Sequence, residues 1–228
     1  LLAEARSRLQ QSSELLDELL AAIKEKLASL PKGALSHQDP EINTTRQQLA
    51  TTQAEARFLA ANLIFETADT YAEGSAEYRD NLETAAAAFA TLHKDYEEKL
   101  VGFYGRLYEG RCRQSLAQWK EALKCYADLV DQPISNAEFR RLVARAYRRR
   151  AECFIATGKI EEAIEECDDW LQQSRASERS EPEWLAVAYR LGDALKQHSL
   201  QETGSEATRL ESESRQLMRE VARTPGEF

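Results

Sequence analysis

Leu2, Leu9, Leu16, Ile23 and Leu30 recur every seven residues, with Leu15, Leu19, Leu20 and Leu27 on the adjoining stripe. This spacing puts an apolar face on one long helix, and such a face requires a partner. The segment SLPKGALSHQDPEI interrupts it: Gly33 can end the first helix, while Asp39 and Pro40 supply an N-cap and a first-turn proline for the next. The second helix is predicted from about Pro40 to about Tyr71. Its own series, Ile42, Leu49, Ala56 and Leu63, with Thr52 and Leu59 between, lets the two zip as an antiparallel hairpin. Self-association of the leucine-rich helix between chains is the competing reading of the same stripe.

Further along, AEGSAEY around Gly74 breaks the pattern, and LETAAAAFATLHKDY, with its small run Ala85 to Ala88, reads as the second half of a pair. Helices follow from about Glu98 to Leu116 and from Trp119 to about Asp131, before the break DQPISNAEF. Ser135 with Glu138, and Ser180 with Glu183, have the S-x-x-E spacing of a capping box. Gly158 divides the next hairpin, and residues 174–181 read as a polar loop. A last helix around Ala207 to Ala222 carries Leu210, Leu217, Met218 and Val221 on one side. The expectation is an all-α chain of about eight helices in four stacked pairs: a long hairpin over residues 1–73, then helical repeats over 74–228, continuous with it as one domain.

Two of these hairpins are one pattern written twice. GRCRQSLAQWKEALKCYADLV from Gly110 and AECFIATGKIEEAIEECDDWL from Ala151 align with a shift of 41 residues, pairing Gly110 with Ala151, Cys112 with Cys153, Ala117 with Gly158, and Ala122 with Ala163. Small residues recur where helices must approach closely; Trp119, Tyr126, Phe154 and Trp170 fill the space that remains. LAQWKEALKCYADLVDQP and ATGKIEEAIEECDDWL resemble the turn and second helix of the tetratricopeptide repeat, and TAAAAFATLHKDY resembles a third copy. The spacings from Ala85 to Ala122 to Ala163, 37 and 41 residues, exceed the roughly 34 of that family. The resemblance implies a right-handed α-solenoid, a TPR-like superhelix whose first helices line a concave groove that receives a peptide or a partner's helix.

Composition narrows the function. Of 228 residues, 43% are hydrophobic and only nine are Gly and five Pro, which favours a helical core over disorder. A net charge of −9 argues against nucleic acid as the partner. No apolar run approaches the roughly 18 residues needed to cross a bilayer. The sequence opens at Leu1 without Met, so an upstream segment is expected and the compartment stays open. Cys112, Cys125, Cys153 and Cys167 lack C-x-x-C spacing and sit on apolar stripes, as buried free thiols do. His37, His93 and His198 are scattered, and no glycine-rich phosphate loop occurs, so neither an enzyme nor a cofactor or metal is implied. Acidic residues occupy helix surfaces, in keeping with solubility.

The chemistry that remains is six arginines in FRRLVARAYRRR. On a 100° wheel Arg141, Arg145, Arg148 and Arg149 share one face, opposite Phe139, Val143, Ala146 and Phe154. In repeat register Arg145, Arg148, Arg149 and Glu152 line the groove, and Tyr104, Leu107, Tyr108 and Arg111 stand one repeat earlier. Guanidinium forks beside tyrosine rings suit protein recognition. Local pairs such as Arg148 with Glu152 or Glu138 with Arg141 are the plain alternative. Arg145 and Arg149 also look like the two basic residues that the last repeat contributes to the clamp by which some tetratricopeptide domains hold an acidic chaperone tail, although Tyr108 stands where that clamp has asparagine. Trp119 and Trp170 are expected between packed helices. The candidate partner contacts are Tyr104, Tyr108, Arg111, Arg145, Arg148, Arg149 and Tyr189, for a non-enzymatic interaction module; a self-associating spacer and a regulatory subunit of an enzyme encoded elsewhere are the alternatives.

Overall fold

The computed structural model describes residues 2–31 and 39–224. Gly33 and His37 lie outside them. The described residues form nine α-helices and one 3₁₀ turn, with no strand. They divide into two compact units, Leu1–Leu116 and Ala117–Phe228.

The first unit holds α1 (Leu2–Ser29), α2 (Pro40–Ala68), α3 (Ala76–Asp95) and α4 (Leu100–Ser115). Asp39 caps α2 as its sequence predicts, its carboxylate accepting from the Glu41 and Ile42 amides at 2.9 and 3.3 Å. Successive helices pack on one another, and α2 also touches α4. Ile23 is buried and Leu9, Leu16 and Leu30 are half-buried, so the seven-residue series from Leu9 onward lies in the seam between α1 and α2, while Leu2 is exposed. Leu15 and Leu19 fall outside that seam, 66% and 41% exposed. Phe65, Leu82, Ala85, Phe89 and Cys112 form the core. A Cβ at Gly102 would lie 2.0 Å from the Tyr96 carbonyl oxygen, so the entry into α4 admits only glycine.

The second unit holds α5 (Trp119–Val130), α6 (Ala137–Ala156), α7 (Ile160–Gln173), a 3₁₀ turn (Ala176–Glu178) within the expected loop, α8 (Pro182–Ser199) and α9 (Gly204–Arg223). Again each helix packs on the next, and α6 additionally packs on α8. Nine helices are described where about eight are expected, so one helix is left over after four pairs. Both capping boxes are displaced. Asn136, the stronger cap, starts α6 by accepting from the Phe139 amide at 2.8 Å, which puts Glu138 one position too early to reach back. α8 begins after Glu181 with Pro182 in its first turn, which leaves Glu183 available for another partner.

The aligned positions occupy equivalent environments. Ala151, Cys112, Cys153, Ala122 and Ala163 are all 0% exposed, and Gly110 is buried. Ala117 and Gly158 both adopt left-handed backbone, φ 56 and 76. Glycine takes this conformation freely, whereas alanine pays a steric cost. Trp170 is buried at 3% exposure. Trp119 departs from expectation and is only half-buried.

Candidate partner-binding face

α6 places Arg140, Arg141 and Arg145 on the side that meets α8 and the connector before it, because Phe139, Val143 and Ala146 turn into the core at 3%, 1% and 0% exposure. The carboxylates that meet them come from about one repeat later. Arg140 forks onto Glu178 at 2.6 and 2.9 Å and lies 4.6 Å from the centre of the Trp170 ring. Arg145 donates to Glu183 at 2.8 Å, and Arg190 on α8 donates back to Glu152 at 3.0 Å. Both pairs span 38 residues. Glu152 also receives Arg149 at 2.8 Å and lies 3.8 Å from Arg148. Arg141 reaches Glu181 at 3.5 Å rather than Glu138.

These contacts set the local electrostatics. Burial raises the Glu178 carboxyl, but the hydrogen bonds from Arg140 and from the Arg175 amide outweigh it and hold the group below the usual carboxylate range. Burial pushes Glu166 up even though Arg150 sits 2.6 Å away. It likewise pushes Cys112 and Cys153 to about 12 and raises Cys167 further in the same direction, so these thiols are protonated at neutral pH. All four cysteines are free and buried. Among the described residues no group of His, Cys, Asp and Glu could hold a metal ion.

The seven candidate contacts fall in both units. In the first, Tyr104 and Tyr108 stand edge-on to Phe58 with ring centres at 6.1 and 5.1 Å. Arg111 stacks 4.5 Å from the Tyr108 ring and 4.8 Å from that of Phe65, while Leu107 is buried at 2% exposure. These side chains take part in packing α4 against α2. In the second unit, Arg145 and Arg148 border a hollow of about 220 Å³ with Glu183, Pro182 and Ala186. Tyr189 lies one helical turn on, 45% exposed, with Arg190 5.4 Å from its ring centre.

Neighbour-on-neighbour packing, with alternate helices in contact (α2 with α4, α6 with α8), is the order of a TPR-like stack of α-hairpins. Each unit is such a stack. The crystal structure of the nearly identical TPR-like repeats of a Podosopora anserina kinesin light chain protein is similar over 96% of this chain and 98% of that one, at 16% identity and a TM-score of 0.48, and a single-substitution variant of it matches equally. No family model matches the sequence, and no curated protein does. No helix among the described residues is long and apolar enough to cross a membrane.

Proposed function

We propose that this chain is a non-enzymatic protein-interaction scaffold that seats a peptide or partner protein on the face shared by α6 and α8. Arg145, Arg148, Arg149 and Tyr189 make contact there; Tyr104, Tyr108 and Arg111 are candidate contacts of the first unit, taken by itself. The observation that carries this reading is Tyr189, a large ring 45% exposed on α8, the helix whose Glu183 and Ala186 line the hollow that Arg145 and Arg148 border. Rigid aromatic rings next to guanidinium groups supply much of the binding energy at protein interfaces. A ligand carboxylate binds by exchange with Glu183 or Glu152, which makes affinity for an acidic peptide salt-dependent. The long hairpin belongs with the helices that follow it in the first unit, since α2 packs on both α3 and α4.

The test is quantitative affinity capture with the wild-type chain, with Tyr189→Ala, and with Arg145→Ala plus Arg149→Ala. Partners depleted by both variants support the reading; a capture profile that neither variant changes ends it. A second reading, self-association through α1, draws on Leu15 at 66% and Leu19 at 41% exposure. Light scattering that reports a monomer at every concentration removes it.

A further inference from the structure

The second unit has another concave feature, separate from the α6–α8 face. α7 and α9 each pack on α8, and between them runs a cleft of about 730 Å³. Its floor is Leu191, Leu195 and Leu210, all buried, and its walls are the half-buried Ile164, Leu171 and Leu217. The α7 wall extends from Glu161 to Gln172 and the α9 wall from Arg209 to Glu220, which at 1.5 Å per residue is about 16 Å, or three helical turns. Apolar side chains left half-open along such a length are a receiving surface rather than a finished core.

The border of the cleft is mainly acidic, with His198 beside Glu161 at one end. Glu161, Glu165, Asp168, Glu213 and Glu220 line it, against Arg179 and Arg209. Arg209 is already held by Glu206 at 2.6 Å and Glu213 at 2.7 Å. Glu165 and Glu220 meet no cation among the described residues. α7 has six acidic residues in its fourteen and no Lys or Arg. Acidic residues that serve only solubility have no reason to flank a half-open apolar groove on both sides.

The cleft is also built in advance. Ser214 donates to the Gly192 carbonyl oxygen at 2.6 Å within the interface of α8 and α9, and a Cβ at Gly192 would sit 3.0 Å from the Met218 methyl carbon. Trp184 is fixed at one end, its indole N–H donating to the Ser174 hydroxyl at 2.8 Å. Walls fixed before binding reduce its ordering cost.

We propose that this cleft docks an amphipathic helix of a partner protein, with Lys and Arg bordering its apolar stripe. A helix satisfies its own backbone, whereas an extended peptide would lay unpaired amides and carbonyls on apolar walls. The cations of such a helix meet the Glu165 and Glu220 rows, and its leucines complete the contacts that Ile164, Leu171 and Leu217 leave open.

The probe is a fluorescein-labelled, fourteen-residue Leu/Lys amphipathic peptide, with a Leu/Glu peptide of the same pattern as control, titrated against the full chain by anisotropy. The Leu/Lys peptide is expected to bind and the Leu/Glu peptide not to bind. Glu165→Lys plus Glu220→Lys is expected to weaken binding at least tenfold, as is Ile164→Ser plus Leu217→Ser, with circular dichroism confirming unchanged helix content. Glu14→Lys plus Glu18→Lys, an equal charge change on α1, and Tyr189→Ala are expected to stay within twofold of wild type. The Tyr189→Ala arm keeps this test separate from the α6–α8 reading. Equal weakening by the α1 reversal would mean general charge attraction and overturn the proposal. So would a dimer that dissociates in the Glu165→Lys plus Glu220→Lys chain, because the occupant would then be a second copy.

Discussion

Residues 2–116 and residues 117–224 solve one packing problem with different chemistry. In the first unit the contact of alternate helices, α2 with α4, is aromatic: Phe58 and Phe65 meet Tyr108, which also lies 5.2 Å from Phe89 between ring centres. In the second unit the equivalent contact, α6 with α8, is ionic, through Arg145 with Glu183 and Glu152 with Arg190. Aromatic clusters contribute mainly through buried area, with a further preference for edge-on or offset rings. Partly exposed ion pairs add little net stability but are strict about which residue sits opposite which. Between alternate helices the first unit therefore gains adhesion and the second gains alignment, while buried apolar side chains supply the core of each.

The largest effect that would break this contrast is expected in the aromatic unit. Phe89→Ala removes a fully buried ring and is expected to cost about 3–5 kcal/mol, read by far-UV circular dichroism in urea. All three tryptophans, Trp119, Trp170 and Trp184, lie in the second unit, so their fluorescence follows that unit alone. Glu152→Ala leaves Arg148, Arg149 and Arg190 without their shared carboxylate and is expected to cost about 2 kcal/mol, visible as an earlier tryptophan transition. A Glu152→Ala chain as stable as wild type would show that the ladder aligns without stabilising.

The next test compares the repeated turns. Gly158→Ala is expected to cost about 1 kcal/mol, because it forces a side chain into left-handed backbone. Ala117→Gly relieves the same strain and is expected to change stability in the opposite direction, by less, since the unfolded chain gains freedom. Like signs for the two substitutions would mean that the turns are not equivalent. The smallest effect at neutral pH concerns the thiols. Cys112 and Cys153 keep their protons to about 12, while unfolded thiols release theirs near about 8.5. The unfolded state then binds fewer protons between those values, so their contribution to stability is full below the lower value and falls as pH rises through the window. Thiol labelling of the native chain at neutral pH is accordingly expected to be slow, and to become rapid in denaturant.

The helical plan was legible because it is written locally. Small residues at Gly110, Ala122, Ala151 and Ala163 mark close approach, and Gly74, Asp39 and Pro40 mark boundaries with a mechanism. The caps at Ser135 and Ser180 missed by one residue because Asn136 and Pro182 compete for the same start. The arginine face was legible as a face, but its partners were not. Glu183 and Arg190 lie 38 residues from Arg145 and Glu152, and only the folded stack brings them together. The cleft was hidden for the same reason: the acids of α7 read as a solvated surface until Leu217, on α9, takes its place opposite Ile164.

The ionic rungs have reversed polarity: on α6 a cation precedes an anion by seven residues, and on α8 an anion precedes a cation by seven. Sliding one helix along the other by two turns would set Glu152 against Glu183, or Arg145 against Arg190, so the arrangement works as a key that opens in one position. Residues inserted into the connector at 174–181 leave this key intact, whereas a single residue inserted between Glu183 and Arg190 swings the second rung through about 100°. Length variation between these helices therefore spares both rungs and puts at risk only the contacts of the connector itself, such as Arg140 with Glu178, whereas variation within them breaks the key.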